Sequence, residues 1–345
     1  MAKWPFVVVG LLLSVGALAF LVYPLNTGYV AFLPGTVEDV SDYLEIDAVE
    51  TYEPFGDLYF LTIFSDEVNV FEYIEAVFDG EVDLIDRDKV RPPEISREEQ
   101  TRRNLASMEE SIQAATYVAL TRLGYEPAFD GGGALVTATV DDSPAEGTFE
   151  SGVDVIVAVD GEQVRLAEDA VELVGAHGPG ETVSFSIQRG DGSIDEVQMT
   201  LIPNPDDETK GLLGVFLATA DLDIDFPVDV VIESGNVGGP SAGLMYALGI
   251  LNSLSPDDIT KGHRVAGTGE IFFDGDVGGI GGVRQKIFAA KAAGAEYVLV
   301  PTSNYDDALD AADGDIVVVA IANIDEAVDF LDTLELVPQL QAQSD

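Results

Sequence analysis

The stretch Gly281–Pro301, GGVRQKIFAAKAAGAEYVLVP, places a helix pattern directly before a strand pattern. One face of the predicted helix carries residues at steps of three, four and three, namely Val283, Lys286, Ala290 and Ala293. The run YVLVP and a second run, IVVVAI at Ile316–Ile321, are typical of strands, and an amphipathic helix pattern over Ile324–Leu334 follows. This alternation predicts an α/β domain in the last part of the sequence.

Upstream of this stretch, Asn236–Leu244 reads NVGGPSAGL and places one serine after Gly-Gly-Pro and before an apolar run. Proline favours the first position of a helix, so Gly239 would be the N-cap and Ser241 the second helical residue. There the hydroxyl is not needed as a cap, and the positive end of the helix dipole favours a developing oxyanion. Ser241 is therefore either an ordinary helix-start residue or a nucleophile, and the second interpretation requires a base.

The sequence offers few bases for such a serine, because it contains no cysteine and two histidines. His177, in AHGPG, is typical of a turn, and His263, in KGHRVAG, has no diagnostic acid pattern around it. Neither histidine indicates a Ser-His-Asp arrangement. Lys286 remains, on a stripe of apolar residues. It must either extend its amine to water or lose its proton through desolvation, and the second outcome is what a lysine base requires.

Three segments together, GGPSAGL, TGEI at Thr268–Ile271 and GGVRQKIFAAKAAGAEYVLVP, resemble the proteolytic domain of Lon-type serine proteases. The resemblance covers about residues 211–334. This family uses a Ser-Lys dyad, with the serine in a PSAG turn and the lysine in GG-x-x-x-K. The resemblance implies Ser241 as the nucleophile, Lys286 as the base and Thr268 as a hydrogen-bonding support of the dyad. The expected oxyanion site consists of backbone groups of Gly239, Pro240, Ser241 and Ala242.

Residues 126–203 predict a separate β-rich module. Its strand patterns lie at Ala134–Val140, Val153–Val159, Thr182–Gln188 and Glu196–Ile202, with a short helix at Leu166–Val174. The segment GGGALVTATVDDSPAEGTFESGVDVIVAVDGEQV resembles a PDZ domain of the bacterial, HtrA-associated type. PDZ domains bind an extended chain, often a C-terminus, as an added strand. The resemblance implies a carboxylate loop at Gly131, Gly132, Gly133, Ala134 and Leu135; the alternative is a spacer domain without a ligand.

The N-terminal stretch Phe6–Tyr23, FVVVGLLLSVGALAFLVY, carries no charge and approaches the ~20 apolar residues that span a bilayer. Lys3 precedes it and acidic segments follow, which predicts a single-pass anchor with a cytoplasmic N-terminus and an extracytoplasmic body. Ala17-Leu18-Ala19 also resembles a signal-peptide cleavage site. A mature chain that begins at Phe20 is therefore the alternative.

The charge balance excludes several classes of partner and cofactor. With 63 acidic and 16 basic residues, the formal net charge is −47, so nucleic acid is a poor partner. The lack of cysteine and the two histidines argue against a zinc site, and no G-x-x-x-x-G-K-[ST] segment indicates an ATPase module. We therefore expect no cofactor.

We expect a multidomain α+β chain. Its predicted parts are a transmembrane anchor at 1–24, a mixed extracytoplasmic region with a helix at 25–125, a PDZ domain at 126–205, a Lon-protease-type α/β domain at 206–337 and a tail at 338–345. This layout resembles the bacterial YlbL-like PDZ–Lon proteins. It implies a membrane-anchored, ATP-independent serine endopeptidase that acts on protein or peptide substrates, and a homo-oligomeric ring by family analogy. The alternative is a PDZ scaffold protein whose Lon-like domain is a catalytically idle assembly platform.

Overall fold

The computed structural model describes residues 26–337, apart from residues 48, 94, 141, 142, 206, 208 and 236. The chain divides into two compact units. The first unit combines the chain up to Tyr125 with the chain from Val228 onward, and the second unit is the continuous segment Glu126–Pro227. The second unit is therefore an insertion in the sequence of the first.

Helices and strands are mixed in the first unit, and strands dominate the second. The helices are α1 Val70–Phe78, α2 Arg87–Val90, α3 Arg97–Arg122, α4 Ala167–Gly175, α5 Gly243–Leu254, α6 Val283–Ala293, α7 Tyr305–Ala312 and α8 Ile324–Asp332. The strands are β1 Asn26–Asp39, β2 Leu44–Asp47, β3 Asp57–Asn69, β4 Asp83–Asp86, β5 Ala128–Asp130, β6 Gly133–Thr139, β7 Val155–Val159, β8 Glu162–Gln163, β9 Thr182–Gln188, β10 Ile194–Thr200, β11 Ile202–Pro203, β12 Gly211–Leu212, β13 Val215–Ala220, β14 Asp223–Asp225, β15 Asp229–Ile232, β16 Arg264–Gly267, β17 Glu270–Ile271, β18 Val277–Gly278, β19 Tyr297–Pro301 and β20 Val317–Ile321.

The first unit is built on a six-stranded sheet with the order β20-β19-β16-β3-β1-β4. The four strands from β20 to β3 run parallel, whereas β1 pairs antiparallel with β3 and β4. Successive strand residues point to opposite faces, so Phe60 packs with α3, α5 and α8 while Leu61 packs with α6 and α7. Helices therefore cover both faces of this sheet, in an α/β/α arrangement.

The predicted boundaries of this unit are wrong at both ends. Strands β1, β3 and β4 come from the region predicted to be separate at 25–125, yet β3 pairs with β16 of the predicted Lon-type segment. In addition, β13 and β14 lie within the predicted Lon-type segment at 206–337, but they pair with β6 and β5 of the second unit. Sequence patterns reveal local structure and do not reveal pairing between strands on either side of an inserted domain.

The second unit is an antiparallel β-domain with one helix. Its main sheet has the order β10-β9-β7-β6-β13, and β8 pairs with β7. The predicted strands and helix of this module lie within two residues of β6, β7, β9, β10 and α4. Their buried side chains, among them Val183, Phe185 and Ile187, form one core.

No helix in the part of the chain that the structure describes combines the length and the apolar character needed to cross a membrane. The predicted anchor at residues 1–24 and the predicted tail at 338–345 lie outside the described residues. The anchor therefore stays a prediction that depends on the uncharged stretch Phe6–Tyr23.

Candidate active site

Three predicted site residues meet beyond the carboxyl end of β16. Ser241 lies just before α5, which packs on one face of the sheet, and Lys286 lies on α6, which packs on the other. Thr268 directly follows β16, which ends at Gly267. Side chains from opposite faces can meet there because the strand no longer separates them. The carboxyl ends of strands are the usual place for sites in open α/β sheets.

The serine turn has the helix-start geometry that the sequence predicts. Gly239 is the N-cap, with φ 92° and ψ 147°, a backbone conformation that glycine adopts without steric cost. Pro240–Ala242 form a 3₁₀ turn that continues into α5. No side chain caps this turn, so the Ser241 hydroxyl is free for another contact.

That contact is the amine of Lys286. Its Nζ lies 2.7 Å from Ser241 Oγ and 2.8 Å from Thr268 Oγ1. The Thr268 hydroxyl donates to the Ser241 carbonyl oxygen at 3.0 Å, and the Gly269 N–H donates to the same oxygen at 2.8 Å. Thr268 therefore accepts a hydrogen bond from the amine and also fixes the backbone of the serine turn.

Burial controls the protonation of this amine. Lys286 is 2% exposed, and desolvation lowers its pKa from 10.5 to about 7, because an apolar setting penalises the ammonium form. On the same helix Val283 and Ala290 are also buried, whereas Ala293 is exposed, so the predicted apolar stripe ends at Ala290. A lysine that is neutral near pH 7 can accept the proton of a serine hydroxyl.

Two of the four predicted oxyanion residues cannot supply a donor. The Gly239 N–H donates to the carbonyl oxygen of Asn104 at 2.8 Å, and Pro240 has no N–H. The N–H groups of Ser241 and Ala242 remain as candidates. They lie at the start of the α5 helical run, where the helix dipole is positive.

Helix α3 supplies contacts that the sequence analysis missed. Ser111 is buried, and its hydroxyl donates a hydrogen bond of 2.8 Å to the carbonyl oxygen of Pro240, which lies 129 residues further along the chain. A Cβ on Gly243 would lie 2.2 Å from Ser111 Oγ, so this approach requires glycine. Ser111 lies three residues after Met108, so both share one side of α3, and this spacing from an apolar residue was the signal available in the sequence. Residues before the inserted unit thus help to position the serine turn.

The histidines make their contacts elsewhere. His263 precedes β16, at the opposite end of the strand from Thr268, and its Nδ1 lies 2.9 Å from Glu296 Oε2. His177 belongs to the second unit, where its Nδ1 lies 3.0 Å from Glu181 Oε2. Lys286 is the basic side chain that the structure brings to Ser241.

In the second unit, the predicted carboxylate loop does not lie at a free strand edge. Gly133, Ala134 and Leu135 form the start of β6 and pair with β13, while Ala134 and Leu135 also pair with β7 on the other side. Gly131 and Gly132 precede them, and the Gly132 N–H already donates to the Ala220 carbonyl oxygen. No added strand fits beside this segment, so the geometry contradicts this assignment.

A groove of about 210 Å³ lies elsewhere in this unit, between α4 and the segment around β12 and β13. Its walls include Val171 and Val174 from α4 and Leu213, Val215 and Leu217 from the opposite side. Among the described residues β13 is the last strand of its sheet, so one of its edges can accept an extended segment. The sequence analysis missed this groove because its two walls come from segments about 40 residues apart.

Models of two known protein families match segments of this chain. Residues 215–332 match the model of the Lon protease (S16) C-terminal proteolytic domain, and residues 107–201 match the model of the PDZ domain. The PDZ match begins within α3, which belongs to the first unit, and ends before β13, which belongs to the second.

Two curated relatives are Lon proteases. That of Campylobacter concisus is 36% identical over 112 residues, which cover 32% of this chain and 13% of the relative. Lon protease 2 of Bacillus subtilis is 39% identical over 101 residues, which cover 29% of this chain and 17% of the relative. Each match therefore spans less than a fifth of the relative's length.

Among solved structures, the PDZ domain of the SdrC-like protein from Listeria innocua is 21% identical, with a TM-score of 0.23. The match covers 25% of this chain and 92% of the Listeria innocua domain. The PDZ match begins and ends before the Lon-type match along the chain. One segment of the chain is therefore similar to PDZ domains and another to the proteolytic domain of Lon proteases.

Proposed function

We propose that this chain is an ATP-independent serine endopeptidase that uses Ser241 as the nucleophile and Lys286 as the base. The observation that carries the proposal is the 2.7 Å separation between the buried, pKa-lowered amine and the serine hydroxyl. In covalent catalysis, the nucleophile lies within hydrogen-bond reach of a base, and a third group orients that base. Thr268 is that third group.

In the proposed reaction, neutral Lys286 accepts the Ser241 hydroxyl proton while Oγ attacks the carbonyl carbon of the peptide bond. The N–H groups of Ser241 and Ala242 stabilise the oxyanion. The lysine ammonium then gives its proton to the amine nitrogen as the C–N bond breaks, which leaves an ester on Oγ. Lys286 next takes a proton from water, the hydroxide attacks the ester, and the proton returns to Oγ as the acid product leaves.

The PDZ domain would bind the polypeptide substrate in the groove between α4 and β13. An extended segment can add to the edge of β13 while apolar side chains enter the groove beside Val171 and Val174. Lys210 also lines the groove, and the ammonium group of a lysine side chain suits a C-terminal carboxylate. We therefore place peptide binding here rather than at Gly131–Leu135.

The uncharged stretch Phe6–Tyr23 supports anchoring in a membrane with the body outside the cytoplasm. Recovery of the full chain with membranes after alkaline extraction tests this part, and a mature N-terminus at Phe20 would contradict it. A homo-oligomeric ring rests on the family resemblance, and sedimentation of the full chain as a strict monomer would contradict it.

A fluorophosphonate probe applied to the full chain tests the dyad. We expect the wild type to be labelled at Ser241 and to lose labelling and casein cleavage with Ser241→Ala or Lys286→Ala. Lys291→Ala is the matched control on the same helix, because its amine contacts Asp315 and not the serine. Wild-type activity that survived both dyad substitutions would overturn the assignment.

The same probe separates the enzyme from the alternative, a PDZ scaffold with an idle Lon-type domain. A scaffold would bind peptides without acylation of Ser241. The complete hydrogen-bonded set of Ser241, Lys286 and Thr268 favours the enzyme, because an idle domain has no need of a buried lysine.

A further inference from the structure

Helix α1 has an apolar face that the described residues of the first unit leave exposed. Phe78 is 85% exposed, and Phe71, Ile74 and Val77 are between 44% and 56% exposed. Phe71, Ile74 and Phe78 follow each other at steps of three and four, so they share one side of the helix. Ala76, the buried residue of α1, lies on the opposite side. The face therefore points away from the sheet on which α1 rests.

This helix begins beside the start of the described chain. Asn26 of β1 pairs with Asn69 of β3, and Asn69 is the N-cap of α1. The Asn69 side chain accepts the N–H groups of Phe71 and Glu72, which holds the first turn of the helix in place. The apolar face thus starts within one helical turn of the residue that pairs with Asn26.

The uncharged stretch Phe6–Tyr23 ends three positions before Asn26. Three steps along the chain keep Tyr23 within about 11 Å of Asn26. The nine residues of α1 add a length of about 13 Å. A bilayer entered by Phe6–Tyr23 is consequently within reach of the whole apolar face, and the covalent link keeps it there at a high effective concentration.

Charge favours a lipid surface over a second copy of this chain as the occupant. Each copy carries a formal charge of −47, so two copies repel each other. Exposed Glu72 and Glu75 lie on the same helix and add to that repulsion locally. Neutral headgroups present no like charge, and aromatic side chains such as Phe71 and Phe78 are favoured at the boundary between headgroups and acyl chains.

We propose that the apolar face of α1, formed by Phe71, Ile74, Val77 and Phe78, inserts into the headgroup region of a neutral bilayer. This inference rests on the membrane anchoring in the proposed function. The loop after α1 contacts the catalytic helix, because the carbonyl oxygens of Gly80 and Glu81 accept hydrogen bonds from Arg284 and Gln285 of α6. The lipid contact therefore seats the helix that bears Lys286 close to the membrane.

Single-cysteine labelling of the full chain tests the inference, since the sequence contains no cysteine. Ile74→Cys and Phe78→Cys receive an environment-sensitive nitrobenzoxadiazole label, and the proteins are reconstituted into phosphatidylcholine vesicles with brominated acyl chains. Leu309→Cys on α7 is the matched control, because Leu309 is 47% exposed in the same unit. We expect quenching by the brominated lipid to be about threefold stronger at positions 74 and 78 than at 309.

The outcomes separate this inference from the proposed function. If the labelled chain floats with the vesicles but positions 74 and 78 are quenched no more than 309, α1 does not contact lipid while the anchor stands. If the chain does not float, the anchor and this inference both fail. Fluorophosphonate labelling of each variant tests the fold and the dyad separately. Neither vesicle result therefore decides whether the chain is a protease.

Discussion

The two units of this chain treat polar groups in opposite ways. In the first unit, Lys286 and Thr268 are buried and hydrogen-bonded to each other and to Ser241. In the second unit, the groove between α4 and β13 presents apolar side chains beside β13, the last strand of its sheet among the described residues. Desolvation keeps an amine neutral near pH 7, so that it can accept a proton, whereas an open apolar groove offers binding without chemistry. Burial of Lys286 is therefore what would let this lysine act as a base, because an exposed lysine would stay protonated near pH 7.

The largest effect should come from removing the buried amine. Lys286→Met deletes the base, and we expect casein cleavage to fall by about 10³-fold. The same change should stabilise the protein at pH 7 by about 2–3 kcal/mol. The reason is that the lysine of the unfolded chain binds a proton tightly at pH 7, whereas the buried amine, with a pKa of about 7, binds it weakly, which costs the native state free energy.

The sign of this stability change depends on pH. Between about 7 and 10.5 the unfolded chain binds the proton more tightly, so the native wild type gains stability as pH rises through this window. The advantage of Lys286→Met should therefore fall by about 1.4 kcal/mol per pH unit, vanish near pH 9 and become a disadvantage at pH 10. Urea unfolding at pH 7 and pH 10 measures it, with Lys291→Met as control. An equal difference at both pH values would contradict a buried, neutral lysine.

The pH dependence of Ser241 labelling should follow the titration of the Lys286 amine. We expect the rate of fluorophosphonate labelling at Ser241 to fall about tenfold for each pH unit below 7 and to level off above it, because protonated Lys286 cannot act as a base. Stopped-flow or timed labelling from pH 5 to pH 9 measures the profile. A flat profile across this range would show that proton transfer to Lys286 does not limit the reaction.

Removal of one supporting hydroxyl should have a smaller effect. Thr268→Val deletes the acceptor of the Lys286 amine and the donor to the Ser241 carbonyl, and we expect kcat to fall about 10–100-fold with little change in KM. Thr268→Ser keeps the hydroxyl and should restore most of kcat. If Thr268→Ser were as impaired as Thr268→Val, the methyl packing rather than the hydroxyl would be the requirement.

The smallest effect on catalysis should come from the second unit. Val171→Asp places a charge in the groove, and we expect affinity for a labelled peptide with an apolar C-terminal residue to fall about tenfold. Ile194→Asp is the matched control, because both side chains are 61% exposed and Ile194 lies on β10 at the far edge of the sheet. Fluorophosphonate labelling should be unchanged in both, since Ser241 lies in the other unit. Equal loss of peptide binding in the two variants would place the binding site elsewhere.

Several features of the fold could be predicted because their signals are local. The helix that bears Lys286, the strand after it and the Gly-Pro start of the serine turn follow from periodicity and from proline and glycine preferences. The strands of the second unit were predictable for the same reason. The peptide groove was not, because Val171 and Val215 face each other only after the sheet has formed.

The oxyanion residues show where local reasoning stops. Pro240 lacks an N–H by its covalent structure, so its exclusion needs no tertiary information. Exclusion of Gly239 does need it, because the partner of its N–H is Asn104, far upstream on α3. Ser111 is a similar case, since a serine on an apolar stripe indicates a buried partner and does not identify Pro240.

Local sequence patterns are enough to recognise a serine in a helix-start turn, a lysine on an apolar stripe and an uncharged N-terminal stretch. The folded chain is needed to show that Ser241 and Lys286 lie 2.7 Å apart and that β1 and β3 complete the sheet of the first unit. The periodicity of apolar residues shows which side of a helix or strand is buried. The residues that this side contacts depend on how strands pair across the inserted second unit. Desolvation of Lys286, and with it the pKa near 7, is a product of that pairing.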